Sequence, residues 1–140
     1  MSATVKQPHA KLDAIQELQA LQLQASFTVG VEGGNVINVA VAIKDGYNNV
    51  ALAVRTSLMV YLADAATGAA IIGTAPSGGI AAGTNGAVLG ALVANKLLAV
   101  VTNAAGLIDF NITEAGVKTL YVVVVLPDGR LAISGAVTFA

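Results

Sequence analysis

Cysteine is absent from this chain, histidine occurs once, and seven basic and eight acidic residues are all the charge that 140 positions carry. Without cysteine there is no disulfide framework, and a zinc site would have to do without thiolates. The one histidine, His9, stands beside Pro8 with no orienting partner in view, and any Ser-His-acid triad would have to use it. Charged residues make up 11% of the chain, against roughly a quarter in an ordinary soluble domain. The net charge of -1 and the scattered lysines and arginines offer no basic stripe for nucleic acid. No glycine-rich phosphate loop or dinucleotide turn is present. Tyr47, Tyr61 and Tyr121 are too few and too dispersed to build a stacking platform. Asp45, Asp64, Asp109, Glu114 and Asp128 fall at or near expected turns, where capping is the ordinary role of a carboxylate. No enzyme site, metal site or cofactor site is expected.

What fills the chain instead is apolar: 56% of residues are hydrophobic. A small domain has much surface for its volume and normally needs charge to stay dispersed. This chain presents Ala, Gly, Thr, Asn and Val in place of charge, so its surface is expected to be covered by copies of itself or by a larger assembly. A membrane span is not expected, although no charge falls between Asp64 and Lys96 and Gly86 to Gly90 has a helix-dimer spacing. Pro76, Gly78, Gly79 and Asn85-Gly86 interrupt that stretch. Its purely apolar remainder, Ala87 to Ala94, is far shorter than the ~20 residues a spanning helix requires. The first residues lack the apolar centre of a signal peptide, so export by that route is not expected.

Composition changes near Ser26, with all five glutamines before it and all 15 glycines after it. Residues 1–25 read as a tail followed by a helix from about Ala10 to Ala25, rich in strong helix formers. Leu12, Ile15, Leu18 and Leu21 recur every three residues and Leu23 adds a fifth apolar position, giving a broad stripe suited to docking or oligomerisation. A lone helix of this length is marginal in water and must pack on something.

Residues 26–140 change to a period of two. Phe27, Val29 and Val31 alternate, Ile37 to Ile43 form the apolar face of a second strand, and Arg55 to Ala63 form a third. Residues 73–90 read as loop, and Val88 to Thr102 as one or two short strands. Ile108, Phe110 and Ile112 alternate with polar neighbours. Val117–Leu126 and Leu131–Phe139 follow, joined by the turn Pro127-Asp128-Gly129. Seven or eight short strands with regular turns point to an antiparallel sandwich. The strand through Leu126 is apolar on both faces, so its outer face needs a cover, either the N-terminal helix or another subunit.

Asn35 to Ala42 followed by Asp45-Gly46-Tyr47-Asn48-Asn49-Val50 resembles the opening of bacterial immunoglobulin-like modules, and Leu107 to Gly116 with Val117–Leu126 resembles their closing strands. Such a module behind a short N-terminal helix is similar to virion proteins of tailed bacteriophages, especially head-decoration proteins and head fibres. The resemblance implies an all-β fold: an immunoglobulin-like antiparallel β-sandwich with a short N-terminal α-helix. It also implies a non-enzymatic protein that forms a dimer or trimer, attaches to the major capsid protein or another virion protein, and resides in the virion. Leu12, Ile15, Leu18, Leu21 and Leu23, together with an outward face at Leu120, Val122 and Val124, are the expected oligomer or capsid contacts. The alternative is a receptor- or carbohydrate-binding module of a tail fibre or baseplate, using loops at Asp45–Asn49 and Ala75–Asn85. Neither reading involves nucleic acid, a membrane or a cofactor.

Overall fold

The computed structural model describes residues 22–46 and 50–140, and these form ten strands and no helix. The first five are β1 (Gln24–Val29), β2 (Val36–Lys44), β3 (Ser57–Ala63), β4 (Gly79–Ala82) and β5 (Ala87–Val93). The last five are β6 (Leu97–Val101), β7 (Leu107–Thr113), β8 (Lys118–Val125), β9 (Leu131–Ile133) and β10 (Val137–Phe139). The chain is all-β, with two sheets in which every pairing is antiparallel. One sheet has the order β1-β2-β7-β4; the other runs β10-β8-β3-β6-β5, with β9 also on β8.

Alternation decides which side chains meet between the sheets. Ile37, Val39 and Val41 of β2 lie opposite Ile112, Phe110 and Ile108 of β7 within their sheet, Ile43 of β2 follows on the same face, and all are at most 2% exposed. Leu58, Val60 and Leu62 of β3, Leu98 and Val100 of β6, and Leu120, Val122 and Val124 of β8 come from the other sheet into the same core. Each fully buried aliphatic side chain of this kind contributes about 1.5–3 kcal/mol relative to exposure. The even-numbered face of β8 is therefore the inner one.

Four features differ from the sequence reading. Gln24 and Ala25, expected to close a helix, instead open β1 through pairing with Lys44 and Ile43. Local helix propensity yields here to a six-residue ladder along β2. Gln22 and Leu23 are not helical either, and residues 10–21 of the expected helix lie outside the described residues. Gly79–Ala82, expected as loop, pairs with Thr113 to Phe110 as β4. The last strand is split: the Ser134 hydroxyl accepts the Val122 N–H at 2.9 Å, where a ladder carbonyl would ordinarily stand, and β9 ends there before β10 resumes. Val31, grouped with Phe27 and Val29 by alternation, lies beyond the strand end and is 93% exposed.

The turn at Pro127-Asp128-Gly129 forms as expected. The Gly129 N–H donates to the Leu126 carbonyl at 2.8 Å, and Gly129 takes φ 89°, a left-handed value for which glycine carries no steric penalty. The Arg130 guanidinium then donates to the Leu23 carbonyl, tying the start of the described chain to this turn.

Candidate functional site

Of the residues expected to make contacts, Leu12, Ile15, Leu18 and Leu21 lie outside the described residues. Leu23 is 8% exposed and belongs to the chain's own core. Leu120, Val122 and Val124 are fully buried and face inward, so they offer nothing to a partner. Both faces of β8 are apolar, and alternation cannot tell which one turns inward. The outward set is Tyr121, Val123 and Val125.

Val123 is nevertheless fully buried. Among the described residues its cover comes from a neighbouring loop. The connection from Asp64 to Gly73 folds back over the outer face of the six-stranded sheet, and Gly68 lies against Val123, Ile133 and the Tyr61 hydroxyl. Tyr61 donates its hydroxyl proton to the Gly68 carbonyl. The far end is held by the Gly73 N–H on Asp64 Oδ2 at 2.9 Å, by Lys96 Nζ on the Gly73 carbonyl at 2.8 Å, and by Ile72, whose side chain enters the core.

Beyond this flap the outer face stays open. Met59, Ala99 and Val125 floor a groove of about 270 Å³, with Leu89 on one wall and Leu126 and Pro127 on the other. No charged residue lines it, and Ser57 is its only polar side chain. A small-molecule site usually combines about 300–1,000 Å³ with a few convergent polar groups. This groove falls short in both respects. It suits aliphatic side chains of a polypeptide.

The groove borders β5, a sheet edge. Leu89, Leu92 and Val93 are 62%, 61% and 41% exposed, and the strand carries no charge or proline. Edge strands commonly guard their unpaired N–H and C=O groups with charge, proline or bulges. Here the guard consists of two register shifts, between Val88 and Gly90 and between Ala91 and Val93. The uncharged stretch between Asp64 and Lys96, weighed in the sequence as a membrane candidate, supplies this edge and the flap. No helix among the described residues is long and apolar enough to cross a membrane.

The other sheet is polar outside. On its outer face Asn38 donates to Asp109 Oδ2 at 2.7 Å and to Asn111 Oδ1 at 2.9 Å. Asp109, expected near a turn, stands in the middle of β7 and is 6% exposed. Its carboxylate accepts the N–H groups of Asn85 at 2.6 Å and Thr84 at 3.1 Å, so it caps the loop between β4 and β5 from a distance. A Cβ on Gly83 would lie 1.9 Å from Asp109 Oδ2, so only glycine permits this close approach. Burial alone would raise the Asp109 pKa; the hydrogen bonds from Asn85, Asn38 and Thr84 outweigh it and hold the carboxyl below its ordinary value.

Glu114 plays the same part at the opposite end of β7. Its carboxylate accepts from Gly116 at 2.9 Å and Ser77 at 3.0 Å, and those amides lower its pKa, with Lys118 adding a smaller effect. Both carboxylates spend their hydrogen-bonding capacity on loops, which makes them structural. Among the described residues no group of three or more His, Asp or Glu could hold a metal ion, and no buried side-chain polar atom lacks a partner. Of the two loops proposed for a receptor, Asp45–Asn49 falls partly outside the described residues, and Ala75–Asn85 contains β4 and both carboxylate-capped segments. No protein-family model matches this chain, and comparison with curated proteins finds no match.

Proposed function

We propose that this chain is a non-enzymatic structural module of a built assembly, a capsid-decoration or head-fibre protein of a bacteriophage that associates with copies of itself. The observation that carries the reading is the exposed apolar edge at Leu89, Leu92 and Val93, free of charge and proline, on a molecule with little charge to keep copies apart. Strand order gives further support. The neighbours β1-β2-β7-β4 and β9/β10-β8-β3-β6-β5 are compatible with the two sheets of a variable-type immunoglobulin-like sandwich, which supports that finer reading. Two features depart from that scheme: β4 precedes the β5–β6 hairpin in the chain, and the second strand of that hairpin, not the first, pairs with β3.

Light scattering over a range of concentrations tests self-association. The wild type is expected at a multiple of 13.9 kDa, and Leu92→Lys at 13.9 kDa, because a buried lysine at a paired edge is strongly disfavoured. A wild-type monomer throughout would overturn the assembly reading. The virion reading has its own check: gradient-purified phage particles from cells producing this protein should contain it in fixed stoichiometry. Its absence from them would remove the phage and leave the assembly intact.

A further inference from the structure

β4 is an edge strand of four residues, and little of its hold on the sheet is its own. Ile80 is its one large apolar side chain, half-buried against the core; its other residues are Gly and Ala. Its ladder runs to β7, where the Thr113 and Asp109 carbonyls accept from Gly78 at 2.9 Å and Gly83 at 2.8 Å. On the opposite side the Ile80 N–H donates to Asn95 Oδ1 at 3.3 Å. The chain to either side of the strand is held by a carboxylate, one from β7 and one from just beyond its end. Before the strand, Ser77 donates its N–H to Glu114 Oε2 at 3.0 Å, and its hydroxyl accepts the Ala115 N–H at 2.8 Å. After it, Thr84 and Asn85 donate to Asp109.

We propose that Asp109 and Glu114 together form an acid-sensitive clamp on β4, and that their protonation releases this strand while the rest of the sandwich stays folded. An ionised carboxylate only accepts, and every oxygen of the two faces at least one N–H. Asp109 Oδ1 takes Asn85, and its Oδ2 takes Thr84 and Asn38; Glu114 Oε1 takes Gly116, and its Oε2 takes Ser77. A proton on any of these oxygens turns an O–H toward a donor and leaves that donor without its acceptor. The groups packed on Asp109, namely Asn38 of β2 and Gly83, Thr84 and Asn85 of the loop, carry no charge. Glu114 has Lys118 Nζ at 3.8 Å, too far to replace the amides. These donors keep both carboxylates ionised below their ordinary range, so the clamp holds above about pH 4 and is lost as pH falls further. The core supplied by β2, β3, β6, β7 and β8 is aliphatic and aromatic and does not titrate. This inference stands apart from the assembly reading, which uses the β5 edge of the other sheet.

Amide exchange of the full chain, corrected for the intrinsic effect of pH on exchange, tests this. From about pH 6 to about pH 3, protection at Ala81, Gly83 and Thr84 is expected to fall about tenfold or more, while Val39 in β2 and Leu98 in β6 stay within about twofold. Asp109→Asn combined with Glu114→Gln should show the weakened β4 already at about pH 6 and lose little more on acidification. The wild-type comparison decides the matter by itself if that double variant does not fold. β4 amides that keep their protection at about pH 3 would overturn the proposal, because the strand would then be held without its carboxylates. Loss that occurs only together with Val39 and Leu98 would overturn it as well, by reducing the release to global unfolding. Loss that varies with protein concentration would assign the effect to separation of copies and overturn it too.

Discussion

Asp109 does at residue scale what a turn ordinarily does for itself: it satisfies the amides of Thr84 and Asn85 from a strand more than twenty positions away. The sign of its pH dependence follows. Its folded pKa lies below the unfolded value of about 3.9, so its stabilising effect is complete above that value and is lost as pH falls through the folded one. Glu114 acts in the same sense, held down by the amides of Gly116 and Ser77. Asp109→Asn turns an NH2 group toward the Asn85 N–H, or toward the Asn38 and Thr84 donors in the other orientation, and so leaves at least one part-buried N–H unsatisfied. Its expected cost is about 1–3 kcal/mol at neutral pH. Below about pH 4 the gap to the wild type should narrow, because the wild-type carboxylate is being protonated too. Urea unfolding of both proteins at the two pH values measures this; an equal gap at both would mean that the carboxylate charge is irrelevant to the loop.

At the scale of elements, the flap from Asp64 to Gly73 gives β8 its asymmetry. Tyr61→Phe deletes the hydroxyl that holds Gly68 and is expected to cost about 0.5–1.5 kcal/mol. Amide exchange should accelerate locally over residues 65–71 and stay unchanged in β2 and β7. Uniform acceleration would show that the flap opens only when the whole domain unfolds. The sequence made some of these elements plain and concealed others, for physical reasons. β2 and β7 have one wet face and one dry face, so period two revealed both their position and their orientation. β8 is apolar on both faces, so its position was legible and its orientation was not. The cover over Val123 is a local loop of Ala, Thr and Gly with no periodicity to announce it. Gly79–Ala82 is short and made largely of small residues, and its strand character comes from pairing with β7, a long-range contact that local pattern does not carry. The β5 edge was visible only as an uncharged run.

For the whole molecule, the balance of seven basic and eight acidic residues sets how copies can interact. Long-range repulsion at a net charge of -1 is small, and so is any attraction between oppositely charged patches. The ion pairs among the described residues, Lys118–Glu114 and Arg130–Asp128, are local and partly exposed, and pairs of that kind contribute little. In the proposed self-association the driving force is apolar surface, with the cluster at β5 and the backbone groups along that edge as the proposed contact. Salt therefore distinguishes this mechanism from an electrostatic one. Raising sodium chloride from about 0.1 M to 1 M shortens the screening length from about 10 Å to about 3 Å and would dissolve contacts held by charge. The mass in solution is expected to stay constant or rise over that range. Sulfate should strengthen association and cooling should weaken it, as apolar burial requires. Dissociation toward 13.9 kDa on adding sodium chloride would mean that copies are held by ion pairs, and the edge at Leu89, Leu92 and Val93 would lose its role.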